Sequence, residues 1–406
     1  MTSRHDDLLV VGGGLMGLSC ALAASERGMT VRLVEAETLA RHASSASAGG
    51  VRSLNRHPAE IPLARAALPM WATLAERVGQ DCGFRPVGQI RVAEDEAAMA
   101  ALERRAALVE GLGYRHERLL SSAELRRRVP AIAAHCRGAL AVDDDGFADP
   151  LASVHALHAC ARRHGVAIEE RTRIVDVSAR GEGLRLDGIG PAGPISYHAT
   201  RCVNAAGAWA APLASLAGDE VPMRAVALQM SVSAPVRPFL DVVLGSEGRK
   251  LSLKQSAAGA LVIGGGYEGR LVERSPDGES GRGPSGHVVH SLLARNLAAA
   301  VSLFPELDSV RVVRTWAGLE GVTADGLPVI GTSTGLPALV HAFGFSAHGF
   351  ALVPLVGTLM ADLLEGREPA PALDAFAPDR FASARRTDAS AGATYDNSGT
   401  DSEEAA

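Results

Sequence analysis

Gly12, Gly14 and Gly17 form a G-x-G-x-x-G string between the apolar run Leu8-Leu9-Val10-Val11 and a helical stretch that begins near Met16. In that setting the first glycine permits a tight turn, the second lets backbone approach a pyrophosphate, and the third lets helix and strand pack closely. The helix N-terminus then presents free N–H groups and the positive end of its dipole to phosphate oxygens. Glu35 closes the next strand, Thr30–Val34, where a carboxylate can accept hydrogen bonds from both hydroxyls of an unphosphorylated ribose. The string is read as a dinucleotide site contacted by Gly12, Gly13, Gly14, Leu15, Met16, Gly17, Glu35 and Ala36. The alternative is a glycine-rich turn followed by an ordinary exposed acid. These residues do not separate a nicotinamide from a flavin dinucleotide.

Three later stretches bear on that choice. Ala43–Gly50 is a small-residue run able to pass close to a bulky planar ring, with Ser44, Ser45, Gly49, Gly50 and the following Val51 as contacts; the same composition also suits a plain linker. Val203–Trp209 is a strand entering a small-residue turn, with Ala205, Ala206, Gly207 and Trp209 as contacts, and Ile174 on the strand Arg173–Val177 is counted with them. Asp325–Gly331 precedes Phe343–Phe350, which opens a helix and brings Gly344, Ala347, His348, Gly349 and Phe350 toward the ring. A helix start aimed there would stabilise negative charge on a reduced ring. The competing reading is a glycine-rich turn before a core helix.

Four side chains are candidates for acting on a substrate. Arg52 ends the small-residue run, a place from which a guanidinium can hold a carboxylate bidentately, or else it is a surface arginine. Glu320 either binds an ammonium or polar arm of the substrate or pairs with Arg314. Tyr267, after Gly264-Gly265-Gly266, either donates its hydroxyl to substrate or packs half-buried. His57 and His348 are both possible proton acceptors near neutral pH, and only His348 stands inside a motif.

Positioning these groups requires more than one core. The 406 residues suit two domains, and a hydrophobic fraction of 47% can fill both. Strand, helix and strand alternate from Leu8 to Val34, a βαβ unit that implies a parallel sheet. Helical spacing covers Glu60–Val78, Asp95–Leu112 and Leu151–His164, and Arg126-Arg127-Arg128 reads as a solvated face. Between Val221 and Gly266 the pattern changes to short strands separated by turns, Val226–Val232, Lys250–Lys254 and Ala260–Ile263, as in an antiparallel sheet. The expected fold is α/β: a Rossmann-like cofactor domain from residues 1–85, 145–222 and 315–381, with an inserted α+β substrate domain from 86–144 and 223–314. Ser275–Gly286 reads as an exposed loop and residues 382–406 as a disordered tail.

The net charge of -6 argues against a nucleic-acid partner. The five cysteines, Cys20, Cys82, Cys136, Cys160 and Cys202, show no metal-ligand or redox spacing, which points to no metal and to a reducing, cytoplasmic setting. Met1–Asp7 runs straight into the first strand and leaves no room for a leader. Phe350–Leu364 is shorter than the ~20 residues of a membrane span and contains Pro354 and Asp362, so a buried helix is expected and no integral membrane segment.

The nucleotide string, Asn204-Ala-Ala-Gly-Ala-Trp209, Trp316-Ala-Gly-Leu319 and Asp325-Gly-Leu-Pro-Val-Ile-Gly331 occur in an order that resembles the D-amino-acid oxidase-like superfamily of FAD enzymes, over about Asp7 to Phe381. The resemblance implies FAD as cofactor and a small amino acid or derivative as substrate. Arg314–Gly321 and Gly344–Phe350 are similar to the catalytic subunits of opine oxidase, D-hydroxyproline dehydrogenase and hydrogen cyanide synthase. That likeness implies C–N oxidation by hydride transfer, with electrons passed to a partner subunit or carrier. A self-sufficient oxidase that forms peroxide and a non-catalytic flavoprotein subunit remain as alternatives. In glycine oxidase-like members the position of Glu320 resembles an arginine that grips the substrate carboxylate. Sarcosine oxidases carry a lysine near the flavin where this chain reads Leu261-Val262-Ile263.

Overall fold

The computed structural model describes residues 4–272 and 284–384. Most of the expected loop Ser275–Gly286 and all but the first three residues of the expected tail 382–406 lie outside the described residues; Gly286 falls in the short strand Ser285–His287.

The first sheet runs in the order Val329–Thr332, Leu339–Phe343, Gly193–Asn204, Arg4–Val11, Val31–Val34 and Ala167–Glu169. All neighbours from Leu339–Phe343 to Ala167–Glu169 are parallel. Such strands are covered on both faces, which explains why Val31–Val34 is buried at every residue. Leu8 and Val10 face a core shared with the helices Leu15–Glu26, Ile61–Val78, Pro150–Arg163 and Gly349–Leu364. Leu9 and Val11 face a second core, closed by the hairpin Arg173–Gly190 and the helix Ala210–Leu216. Where the helices Leu15–Glu26 and Gly349–Leu364 cross, a Cβ on Gly357 would lie 2.4 Å from Ser19 Oγ, so the contact demands glycine. Val11 stands opposite both Val34 and Asn204, so three strands end level at one edge. In open parallel sheets ligands bind beyond that carboxyl edge.

The second sheet has eight strands, from Val312–Thr323 at one edge to Arg118–Ser121 at the other. It is antiparallel except where Val243–Ser246 runs parallel to Gln89–Ala93. The helix His290–Leu303 helps cover one face, and the other face turns toward the carboxyl edge of the first sheet. The sequence boundary needs one correction. Residues 315–323 were expected in the cofactor domain, yet Val312–Thr323 pairs with Met223–Ser233 along its whole length and belongs to the second sheet. A twelve-residue strand with mixed polarity gives no sign of which sheet it joins.

Candidate active site

One cleft of about 2800 Å³ runs between the two sheets, from Glu35 at one end past Gly14, Ser44 and Trp209 to His348 and Arg52 at the other. Its first part is made by backbone. Gly12 has φ +110, and a Cβ there would lie 2.4 Å from Ala205 O, so only glycine lets the first strand turn beside the end of Gly193–Asn204. A Cβ on Gly17 would meet Gly12 O at 1.8 Å, which makes Gly17 a packing residue that does not line the cleft. Gly14 is the N-cap of the helix Leu15–Glu26 and has no side chain to cap it; Leu15 N–H instead donates to Ser44 Oγ at 2.9 Å.

Glu35 is fixed through both oxygens: Gly13 N–H donates to Oε2 at 2.7 Å and Glu37 N–H to Oε1 at 2.8 Å. Each oxygen keeps a lone pair for a ribose hydroxyl. Burial raises its pKa, against the downward pull of those two bonds. Gly13 thus acts by orienting Glu35 and is not itself a lining residue.

Gly12, Gly14, Leu15, Met16, Glu35, Ala36, Ser44, Gly50, Ile174, Ala205, Ala206, Gly207, Trp209, Gly344, Ala347, His348, Gly349 and Phe350 all line the cleft, and so do Arg52 and Glu320. Ser45, Gly49, Val51 and Tyr267 do not, which corrects their expected placement. Ser45 Oγ donates to Ala40 O at 2.6 Å, and Val51 is buried in a two-stranded ladder opposite Gly146. Gly49, with φ +71, abuts Ala148 O. Gly265 and Gly266 both have positive φ, which breaks the strand alternation and sends the Tyr267 ring out beneath Lys250 and Arg295. The smallness of the Ala43–Gly50 run has a further cause: Trp316 Nε1 donates to Ala46 O at 2.9 Å, and a Cβ on Gly318 would sit 2.4 Å from Ala46 Cβ.

The far end is made by side chains. His348 is the N-cap of Gly349–Leu364, and no side chain caps that helix. Its Nδ1 lies 2.9 Å from Glu60 Oε2, with both residues buried. Burial and Arg56 pull the imidazole down to about 4 although Glu60 opposes them. For Glu60, burial alone would raise the pKa; His348, Arg56 and Arg52 outweigh it and keep the carboxylate charged. The pair is therefore neutral His348 donating Nδ1–H to ionised Glu60. His57 accepts Ala59 N–H on Nδ1 and lines the cleft.

Arg52 makes no ion pair and its guanidinium no hydrogen bond among the described residues; its carbonyl accepts from Arg56 Nε. Burial, with Arg56 and Arg91 as like charges, lowers it to about 9. Arginine keeps its proton at neutral pH, so this unfavourable field appears as affinity for an anion. Glu320 also lacks a cation among the described residues. Arg314, its expected partner, lies exposed over Trp316. Glu320 Oε1 accepts Ala347 N–H at 2.6 Å, and burial raises the carboxyl to about 7. Gln89, missed by the sequence reading, lines the same wall and leaves buried Oε1 without a partner among the described residues. Lys254 stands directly opposite Val262, buried over Phe147 and outside the cleft.

Two helix starts whose N-cap residues supply no side-chain bond, a doubly anchored acid and close-approach glycines along one elongated cleft fit a dinucleotide carrying a ring. Among the described residues no group of acids, histidines and cysteines is arranged to hold a metal, and no helix is long and apolar enough to cross a membrane.

Comparison with known proteins agrees with that geometry. The family model described as FAD dependent oxidoreductase matches residues 7–363. A glycine oxidase from Geobacillus kaustophilus is 30% identical over 91% of this chain and 95% of its own. An opine oxidase subunit from Rhizobium meliloti is 26% identical over 92% and 97%. The crystal structure of glycine oxidase from Geobacillus kaustophilus superposes with a TM-score of 0.82 at 27% identity, covering 93% of this chain and 99% of that one.

Proposed function

The chain belongs to the FAD-dependent oxidoreductase family, and on that premise we propose that it oxidises the C–N bond of a small amino acid or derivative, such as a D-amino acid, an imino acid like hydroxyproline, or an opine. Electrons then pass to a partner subunit or carrier, a reading supported by the likeness to the opine oxidase subunit. The observation that carries the substrate class is Arg52, whose guanidinium has no ion pair or hydrogen bond among the described residues and which lines the same cleft as the helix start at His348. FAD, when bound, accepts a hydride equivalent from the carbon that bears nitrogen.

The chain's own residues do the rest. Arg52 anchors the carboxylate, and Glu320 receives the cationic or polar part of the substrate. A carboxylate placed about 4 Å from ionised Glu320 would be repelled by roughly 1 to 4 kcal/mol, depending on local dielectric. The carboxylate therefore sits at Arg52, and a pocket built for glycine alone is disfavoured. Lys254 does not line the cleft and lends no support to oxygen chemistry there. Five buried, unpaired cysteines support a reducing, cytoplasmic setting.

The test is anaerobic bleaching of the yellow protein by proline derivatives, D-amino acids, sarcosine and opines. Bleaching by none of them would reject the substrate class, and rapid reoxidation in air would replace the dehydrogenase by an oxidase.

A further inference from the structure

Arg56, Glu60 and His348 form a buried group beside the helix start, and hydride transfer to the cofactor does not by itself use it. Arg56 Nε donates to Arg52 O at 2.9 Å and Nη2 to His348 O at 3.3 Å. Its Nη1 stands 3.9 Å from Glu60 Oε1, and neither of those two atoms has a hydrogen-bond partner among the described residues. Arg56 thus sits near the carboxylate without quenching it. Glu60 is tied to His348 Nδ1, while His348 Nε2 has no partner among the described residues and is not among the occluded atoms of the cleft wall.

We propose that Glu60 is a positioning residue that, through His348, couples reduction of the cofactor to the uptake of one further proton from solvent. The proposal rests on the FAD reading above. The substrate C–H bond breaks and delivers two electrons and one proton as a hydride, so one negative charge enters the cleft and one positive charge leaves on the iminium product. Solvent supplies a second proton, bound at His348 Nε2, and the imidazolium so formed pairs with Glu60 through Nδ1–H.

The surrounding charges set the poise. Arg56 and Arg52 face His348 from the segment after Gly50–Val51, Glu60 from the turn Pro58–Glu60, and Glu320 from the strand Val312–Thr323 through Ala347 N–H. Asp145, held by Ser53 and Leu54 N–H groups, acts on both arginines from behind. Burial first, and then Arg56 and Arg52 against the ionised Glu60, keep the imidazole neutral until an anion arrives. The glutamate keeps the imidazolium within reach once it does.

The experiment is a dye-equilibrated reduction of the FAD-loaded protein between pH 5.5 and 8.5. Each proton coupled to a two-electron reduction changes the equilibrium tenfold per pH unit, about 30 mV. The wild type should show a hundredfold change per unit on the acid side and a break to tenfold at higher pH. In Glu60→Gln the break should move at least one unit toward acid with flavin content unchanged, and in His348→Asn the slope should be tenfold throughout. A tenfold slope throughout in the wild type, or a break at the same pH in Glu60→Gln, overturns the proposal. Should the variants lose flavin, an indicator-dye count on anaerobic photoreduction of the wild type decides, at a pH on the acid side of its break. Two protons per two electrons are expected, and one overturns the idea. A colourless wild type would sink the FAD reading instead.

Discussion

The two ends of the cleft are built from different materials. At the nucleotide end, Gly12, Gly14 and Gly17 act through backbone, and Glu35 has both oxygens anchored before any ligand arrives. At the substrate end, Arg52 and Glu320 are charged or titrating side chains with no opposite charge paired to them among the described residues. A backbone site is rigid and holds its donors in place in advance, with helix-start N–H groups left for the ligand. A site of unpaired side chains stores unfavourable desolvation that a matching ligand relieves. Changes at the first end should therefore act on cofactor retention, and changes at the second on substrate binding and pH response.

The largest effect should come from Gly12→Ala. The residue has φ +110 and its new Cβ would overlap Ala205 O at 2.4 Å, so about 1–3 kcal/mol of backbone strain adds to the clash. The expected outcome is a colourless protein with a lowered Tm. Gly14→Val should also strip flavin, though more gently on the fold, since a Cβ there meets only Ser44 Oγ at 3.0 Å. Normal flavin content in either variant would break the backbone account of this end.

Arg52→Ala should divide the two ends cleanly. A hydrogen-bonded charge contact contributes about 1.5–3 kcal/mol, so KM for amino-acid substrates should rise roughly 10- to 150-fold while the yellow colour stays. Loss of an uncompensated cation should also leave the free protein no less stable, or raise its Tm. Unchanged kinetics would move the anchor elsewhere on this wall, beginning with Arg91, whose Nε already pairs with Glu247.

How much of this was legible in the sequence follows the same division. The nucleotide end lies in one βαβ unit, so spacing alone located Gly12 and Glu35. Arg52 and Glu320 were singled out by their place beside recognisable stretches, and both line the cleft. Glu60 was not, because its partner His348 is 288 positions away and a lone acid before an apolar helix looks like a first-turn glutamate. The four-residue steps Arg52, Arg56, Glu60 were the available hint. Tyr267 follows the second of its two readings and packs half-buried beneath Lys250 and Arg295, after two glycines of positive φ that interrupt the strand.

The pH response sharpens the comparison further. Glu320 titrates near 7 in the folded chain and near 4.5 unfolded, so the native state holds the extra proton between those values. Its contribution to stability is fully present below pH 4.5 and is lost as pH rises through about 7, by up to ~3 kcal/mol. His348 runs the other way, since its folded value lies near 4; stability rises as pH increases from 4 to 6.5. Chemical denaturation of the apoprotein should show Glu320→Gln gaining on the wild type between pH 5 and 8. A constant difference would mean that Glu320 is not buried in the manner described.

Ser44→Ala should have the smallest effect, and for that reason it tests the backbone account most directly. Ser44 Oγ accepts Leu15 N–H at 2.9 Å in the first turn of Leu15–Glu26, whose N-cap is a glycine. Removing one neutral hydrogen bond of this kind costs about 0.5–1.5 kcal/mol, and water in the open cleft can recover part of it. If phosphate is held mainly by N–H groups and the helix dipole, the freed Leu15 N–H becomes one more donor for the ligand. FAD affinity of the apoprotein, followed by quenching of flavin fluorescence, should then change less than tenfold in either direction, with KM unaltered. A hundredfold loss would show that the serine hydroxyl itself holds phosphate, and the nucleotide end would depend on side chains as much as the substrate end does.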